Sequence, residues 1–261
     1  MLQIVNELRV DNLLLAYPYK SAFAKLAHTP SYFMTDSGAF SAWASGKPTD
    51  LTGYGDWSLE VTRSLPRVIS VNLDVIPGER GRTSSPRERV EGMSKSLANA
   101  DYLRGRNLNV MEVFHQDEPQ SFLDDLLDRL PENGILGIAT RKDKHMGAWV
   151  QWLQVVLNHL VSRYGWANLP RTHGLAATSK PVMQAFPFYS VDSSTYMSPY
   201  RYGTMVNSHG KMTKMAAALG ETTGSRDTRG AWGVRQTIMN QENIATEVTR
   251  LWEKRGIIWT D

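Results

Sequence analysis

The chain has no cysteine in its 261 residues, which excludes disulfides, thiolate zinc sites and iron-sulfur clusters and allows a reducing compartment. No run of roughly 18 apolar residues occurs, so no membrane span and no membrane partner are expected. Its first residues, Met1-Leu2-Gln3-Ile4-Val5-Asn6-Glu7, lack a basic stretch followed by an apolar core, and a soluble, cytoplasmic protein is the expectation. Excess charge is scarce as well: 29 Lys and Arg against 26 Asp and Glu leave +3, with a pI near 9.0. That is a mild bias toward polyanions, too small to establish nucleic-acid binding by itself. No internal repeat, low-complexity tract or Pro/Gly-rich linker interrupts the sequence, which points to one domain over residues 1–261.

What is present is a 41% hydrophobic content, enough for a substantial core, in short apolar runs alternating with longer amphipathic ones. This is the pattern of strands joined by crossover helices in a parallel sheet. Seven strands are expected: Asn12 to Tyr17, Tyr32 to Thr35, Val68 to Leu73, Asn109 to Phe114, Gly134 to Ala139, Thr172 to Ala176 and Phe188 to Val191. An eighth, Tyr202 to Val206, rests on position more than on pattern. With a length near the about 250 residues of a single (β/α)8 barrel, the expected fold is an α/β TIM barrel, irregular at its eighth strand. Helices are expected from Pro86 to Tyr102, where Ser85 and Glu88 can form a capping box ahead of Val90, Met93 and Leu97, and after Pro119, where Phe122, Leu123, Leu126, Leu127 and Leu130 share a face. Ala148 to Tyr164 carries a broad apolar stripe in which Trp149 and Trp152 read as core. Residues from about 207 to 261 form a closing segment, with a helix from Met239 to Trp252 burying Ile244, Val248 and Leu251.

Two segments share one design. Phe33-Met34-Thr35-Asp36-Ser37-Gly38-Ala39-Phe40 and Tyr189-Ser190-Val191-Asp192-Ser193-Ser194-Thr195-Tyr196 each deliver an Asp-Ser pair at the end of a strand-like run. In a barrel, strand C-termini face a shared pocket, so such carboxylates can serve one substrate. The small-residue turn Ser37-Gly38-Ala39 lets backbone approach a ligand and offers amide donors; a turn or cap role for Asp36 is the structural alternative. Asp74 ends the next strand, where an acid after an apolar run is costly unless paired or facing a pocket. His115 and Gln116 end the strand after that, one able to move a proton and the other to read a heterocycle edge, although a lone strand-end histidine is more often structural. Gly137-Ile138-Ala139 and Gly174-Leu175-Ala176-Ala177 end later strands with small residues, suited either to a flat ring or to ordinary packing.

These segments carry a resemblance. Thr35-Asp36-Ser37-Gly38-Ala39-Phe40 resembles the Asp-Ser-Gly-Gly-Phe motif of the tRNA-guanine transglycosylases, and Val191-Asp192-Ser193-Ser194-Thr195-Tyr196 is similar to their Phe-Asp-Ser-Ala-Ser-Tyr segment. Between them Asp74 matches a base-recognising aspartate, Gln116 or its neighbour His115 a base-reading glutamine, and Gly137-Ile138-Ala139 a Gly-Leu-Ala stretch, in the same order over roughly residues 12 to 200. The resemblance implies a base exchange with Asp192 as nucleophile on the sugar C1′ and Asp36 as general acid/base. It further implies Ser37, Gly38, Asp74, His115, Gln116 and Gly137 around the base, with Phe40 and Tyr196 as stacking partners or core residues. The chain departs from the tRNA enzymes in lacking the three cysteines of their zinc site, in Ala39 replacing the second glycine, and in length. It thus looks like the compact, zinc-free bacteriophage and bacterial DNA-guanine transglycosylases, which exchange guanine in DNA for a 7-deazaguanine such as 7-cyano-7-deazaguanine and so protect DNA from restriction. That branch implies no cofactor, a 7-deazapurine co-substrate, DNA as partner, and the host cytoplasm as location for a phage-encoded chain; a homodimer or partner subunit stays open. Arg80, Arg82, Arg87 and Arg89 are candidates for gripping the strand, as are Lys211, Lys214, Arg226, Arg229 and Arg235, solvated surface being the alternative for both groups. A tRNA-directed enzyme, a retaining glycoside hydrolase and a catalytically silent partner subunit are the competing readings.

Overall fold

The computed structural model describes residues 2–78, 84–116, 118–139, 145–216 and 225–259. It is a mixed α/β chain with parallel sheets. Two compact units divide it, Leu2 with Ile4–Gly137 and Gln3 with Ile138–Asp261. No described helix is long and apolar enough to cross a membrane.

In the N-terminal unit α1 (Leu2–Leu8) leads into β1 (Asn12–Ala16) and β2 (Tyr32–Asp36), followed by the short α2 (Ala39–Ser45), α3 (Leu51–Ser64) and β3 (Val68–Val71). After α4 (Pro86–Gly105) the chain forms β4 (Val110–Met111) and β5 (Val113–His115), then α5 (Gln120–Asp128) and the start of β6 (Ile135–Ala139). Strands β1 to β4 pair in sequence order and in parallel, with Ala16 opposite Asp36 and Thr35 opposite Ser70. Crossover segments between parallel neighbours bring successive strand C-termini to the same edge, so Asp36 and the residues following Val71 end up side by side. Phe33, Val68 and Val110 from the sheet pack against Tyr54, Trp57 and Val61 of α3 and Ala100 and Leu103 of α4.

The capping box at Ser85 and Glu88 forms as expected, but α4 buries a different face. Gly92, Ser96, Ala100 and Leu103 point inward, while Val90 is 56% exposed. Small residues win this face because the helix lies close to backbone: a Cβ on Gly92 would come within 3.0 Å of the Val75 carbonyl. Helix α5 buries Phe122, Leu123, Leu126 and Leu127 as the spacing requires. The strand expected over Asn109 to Phe114 is interrupted at Glu112, which is buried and ion-paired to Arg104 at 2.6 Å and Arg129 at 3.2 Å. A carboxylate taken out of water needs such partners.

The C-terminal unit holds the end of β6, α6 (Met146–Tyr164), β7 (Arg171–Leu175), α7 (Lys180–Ala185) and β8 (Ser190–Val191). It continues through α8 (Ser198–Tyr202), β9 (Thr204–Val206), β10 (Met212–Lys214) and α9 (Arg226–Lys254). Strands β7 and β8 are parallel, with His173 opposite Ser190 and Gly174 opposite Val191. In α6 the buried stripe is Leu153, Val156, Leu157 and Leu160, and Trp149 and Trp152 are only half-buried. The closing helix is longer than expected at both ends, and its inner side carries Ile244, Val248 and Trp252, with Leu251 half-buried.

The expected eighth strand is present but does a different job. β9 pairs antiparallel with β10, because only the turn Asn207 to Lys211 separates them and a parallel partner would need a crossover of a dozen or more residues. Asn207 fixes that turn by accepting from the amides of His209 and Lys211, and Gly210 supplies the positive φ of 77°. Among the described residues the parallel strands form open sets, and their ladder bonds do not close a barrel.

Candidate active-site residues

At the carboxyl edge of the N-terminal sheet, Asp36 ends β2 and its Oδ1 accepts from the Gly38 amide at 3.1 Å. Gly38 has φ of 76°, and a side chain there would press on the Pro18 ring, 3.0 Å from an added Cβ, so the turn requires glycine. Ser37 is fully buried and donates to the Asn72 carbonyl at 3.0 Å, which ties the end of β2 to the segment after β3. Tyr54 lies beneath both. Its hydroxyl sits 2.9 Å from the Thr35 carbonyl and 2.6 Å from the Val71 carbonyl, and Ser58 and Ser70 complete the hydroxyl cluster through Thr35 Oγ1. Burial, opposed by the hydrogen bond with Thr35 and aided by the Asp36 carboxylate, pushes the Tyr54 phenol above its usual range.

Asp74 is held in place by the small face of α4. Asn72 donates to the Ser96 carbonyl, Val75 donates to Ser96 Oγ, and Asn99 donates to the Leu73 carbonyl, all within 2.8 Å. The Asp74 side chain is 9% exposed and its Oδ2 lies 2.6 Å from His115 Nε2. The His115 amide in turn donates to Glu118 at 2.7 Å. Burial works against the charged imidazole, but the Asp74 carboxylate, with a smaller push from Glu118, outweighs it and raises His115 to about 9. Glu118 is raised to about 7, chiefly by burial and further by the Asp74 charge, with His115 opposing. The imidazole thus meets Asp74 through Oδ2 while the backbone amide of the same residue meets Glu118, leaving Asp74 Oδ1 as the oxygen that does not serve His115. Gln116 is buried beside it, and Gly137 donates its amide to the Glu112 carbonyl at 2.8 Å. Phe40 is 47% exposed and tilts against Trp43, whose indole donates to the Gly78 carbonyl.

In the C-terminal unit Asp192 follows β8 with 26% of its side chain exposed. Two nitrogens approach its Oδ1: the Ala176 amide at 2.8 Å and His173 Nε2 at 3.3 Å. His173 is 2% exposed and its Nδ1 lies 2.8 Å from Ser190 Oγ. A Ser190 hydroxyl donating to Nδ1 goes with an N–H on Nε2, the nitrogen that faces the carboxylate. Ala176 reaches its position with φ of 54°, a left-handed conformation that costs a residue with a Cβ about 1 kcal/mol. Asp192 Oδ2 has no hydrogen-bond donor among the described residues, so the carboxylate is pinned through one oxygen and presents the other. Gly174 is set by packing: an added Cβ would lie 2.8 Å from Ala177 and 2.9 Å from the Phe188 ring. Tyr196 follows in a 3-10 turn whose start is capped by Ser193, which accepts from the Thr195 amide.

Arg80 and Arg82 lie outside the described residues. Arg87 pairs with Glu91 at 2.8 Å, and Arg89 donates to the Ser84 carbonyl. Sequence reasoning passed over Tyr54, Glu118 and His173. Glu118 offered a signal in its place three residues after His115 and just before Pro119, and His173 in standing as an imidazole within an apolar strand; Tyr54 reads as any core aromatic. Among the described residues no group of three or more His, Asp and Glu is arranged to hold a metal ion. Compared with known protein families and with curated proteins, the chain matches none.

Proposed function

We propose that the chain is a guanine transglycosylase acting on DNA, which replaces guanine by a 7-deazaguanine through an aspartyl-glycosyl intermediate. The observation that carries this reading is the Asp192 carboxylate, held on Oδ1 by the Ala176 amide and faced there by His173 Nε2, with no hydrogen bond on Oδ2 among the described residues. A nucleophile must be held and accessible at once, and contacts on one oxygen satisfy both needs. The ordered motifs from Asp36 to Tyr196 support the same reading, and a closed (β/α)8 barrel working in the cytoplasm is the setting it carries.

In this mechanism Asp192 Oδ2 bonds to C1′ as the bond from C1′ to guanine N9 breaks, and the departing base takes a proton from Asp36. The incoming base then attacks C1′ through N9, the ester bond to Oδ2 breaks, and the N9 proton returns to Asp36. Two inversions restore the starting configuration. His173 and the Ala176 amide stabilise the carboxylate each time it is regenerated, since charge returns to it as the ester opens. Asp74 Oδ1 and Gln116 take the polar edge of the purine. The target nucleotide has to leave the stack, at a cost of a few kcal/mol.

The test is incubation of the purified protein with guanine-containing DNA and labelled 7-cyano-7-deazaguanine, beside a tRNA control and the Asp192→Ala variant. Label in DNA, absent with tRNA and lost in the variant, is the expected result. Label in tRNA alone moves the chain to the RNA branch, and release of free sugar without exchange moves it to the glycoside hydrolases.

A further inference from the structure

Arg87, Arg104, Arg106 and Arg129 of the N-terminal unit and Lys180 of the C-terminal unit pair with carboxylates. In the C-terminal unit the sequence from Ser193 to Gly220 contains no acidic residue, and the β9–β10 hairpin lies inside it. Arg201, Lys211 and Lys214 are exposed and have no carboxylate partner among the described residues. Two large apolar side chains in the same acid-free segment are exposed, Tyr202 at 75% and Met212 at 51%.

The surface is held rigidly. The register sets Lys214 opposite Thr204 and Met212 opposite Val206, and the Met215 amide donates to the Gly203 carbonyl, which keeps Tyr202 beside the end of β10. The other side of the hairpin is anchored to α9, where Asn240 donates to the Val206 carbonyl and Thr237 accepts from the Val206 amide. Residues two apart on a strand share a face, so Met212 and Lys214 project together, while Lys211 stands exposed in the turn just before β10. Unpaired cations around exposed apolar groups suit a ligand that offers phosphates and flat apolar faces together, and a single nucleic-acid strand is such a ligand. A duplex offers the phosphates but keeps its base faces stacked.

We propose that the β9–β10 hairpin and the adjoining Arg201 and Tyr202 grip single-stranded DNA, with Lys211, Lys214 and Arg201 on phosphates and Tyr202 and Met212 against bases. This deepens the proposed function by naming the surface that holds the strand around the target, and it rests on that reading only for the identity of the strand as DNA. The surface begins nine residues after Asp192, on the segment that leads directly out of the nucleophile motif.

The experiment is fluorescence anisotropy of a labelled single-stranded oligonucleotide over a salt series, with the full chain, the double variant Lys211→Ala/Lys214→Ala, Tyr202→Ala, and Lys95→Ala as a surface control. Matching thermal midpoints establish that the variants fold. The double variant is expected to lower the slope of log affinity against log salt by about 1.4, from about 0.7 per phosphate on a single strand. Tyr202→Ala is expected to weaken binding about fivefold or more with the slope unchanged, and Lys95→Ala to match the parent. Absence of salt-dependent binding, equal binding by the hairpin variants, or tighter binding of the matching duplex overturns the proposal. Asp192→Ala separates the two readings: it should bind the strand as the parent does. Strand binding without base exchange in the parent defeats the proposed function alone, whereas base exchange with hairpin variants that bind normally defeats this surface alone.

Discussion

The two units hold their aspartates by opposite means. Asp74 sits in a closed setting against an imidazole that is cationic at neutral pH, with a second carboxylate behind it. Asp192 sits in a more open one, restrained by the buried His173 ring and a backbone amide. A full counter-charge fixes a carboxylate firmly and lowers its reactivity, as suits recognition of a neutral base edge. Contacts confined to one oxygen orient a carboxylate while leaving its second oxygen open, as the proposed nucleophile requires. Type of residue is the same in both cases, and the difference in role comes from the partner.

Removing Asp192 should break the comparison most severely. Asp192→Ala is expected to lower base exchange by about a thousandfold or more, and no glycosyl-enzyme should be trapped on denaturation and mass analysis. His173→Ala comes next: loss of one donor and of its steric hold should cost about a hundredfold in kcat, with His173→Gln recovering part through its amide N–H. Measured as a split between kcat and KM, the loss should fall on kcat; a change confined to KM would assign His173 to base binding instead.

In the other unit His115→Gln should act mainly on KM for the incoming base, about tenfold, because Asp74 keeps an N–H donor but loses its counter-charge. The same region should set the pH dependence of stability. Both His115 and Glu118 are raised above their ordinary values of 6.5 and 4.5, so the folded chain binds more protons than the unfolded one and stability falls as pH rises. The Glu118 contribution is fully present below about pH 4.5 and is lost by about 7, and the His115 contribution is fully present below about 6.5 and is lost by about 9. Glu118→Gln, the smallest expected effect, should flatten the lower limb and raise stability at pH 8 by about 1 kcal/mol. Thermal midpoints against pH for both variants check this, and an unchanged lower limb in Glu118→Gln would remove Glu118 from the cluster.

Much of the parallel α/β arrangement was legible because strands and crossover helices write their periods into the sequence. Asp36, Asp74, His115 and Asp192 were visible for a related reason: a polar residue ending an apolar run stands out. The partners were not. His115 meets Asp74 from 41 residues away, and His173 meets Asp192 through a strand register that no local pattern encodes. Helix α4 misled because Val90 looked like core, whereas the chain needed Gly92 and Ser96 to bring the helix against the backbone that carries Asp74. The eighth strand misled because it was placed by its position in the alternation, which says nothing of direction, and the five-residue connection after Val206 decided that.

The buried Glu112 has a consequence for how the sequence can drift. Arg104 from α4 and Arg129 from the end of α5 converge on it, so replacing either arginine leaves the buried carboxylate with one partner and one oxygen unserved, and replacing the glutamate leaves both arginines to share the exposed Asp101. Neither single step is tolerable at small cost, while an all-apolar trio of similar volume is neutral or stabilising in principle. In diverging copies of this chain these three positions should therefore be inherited as one unit, kept together or exchanged together.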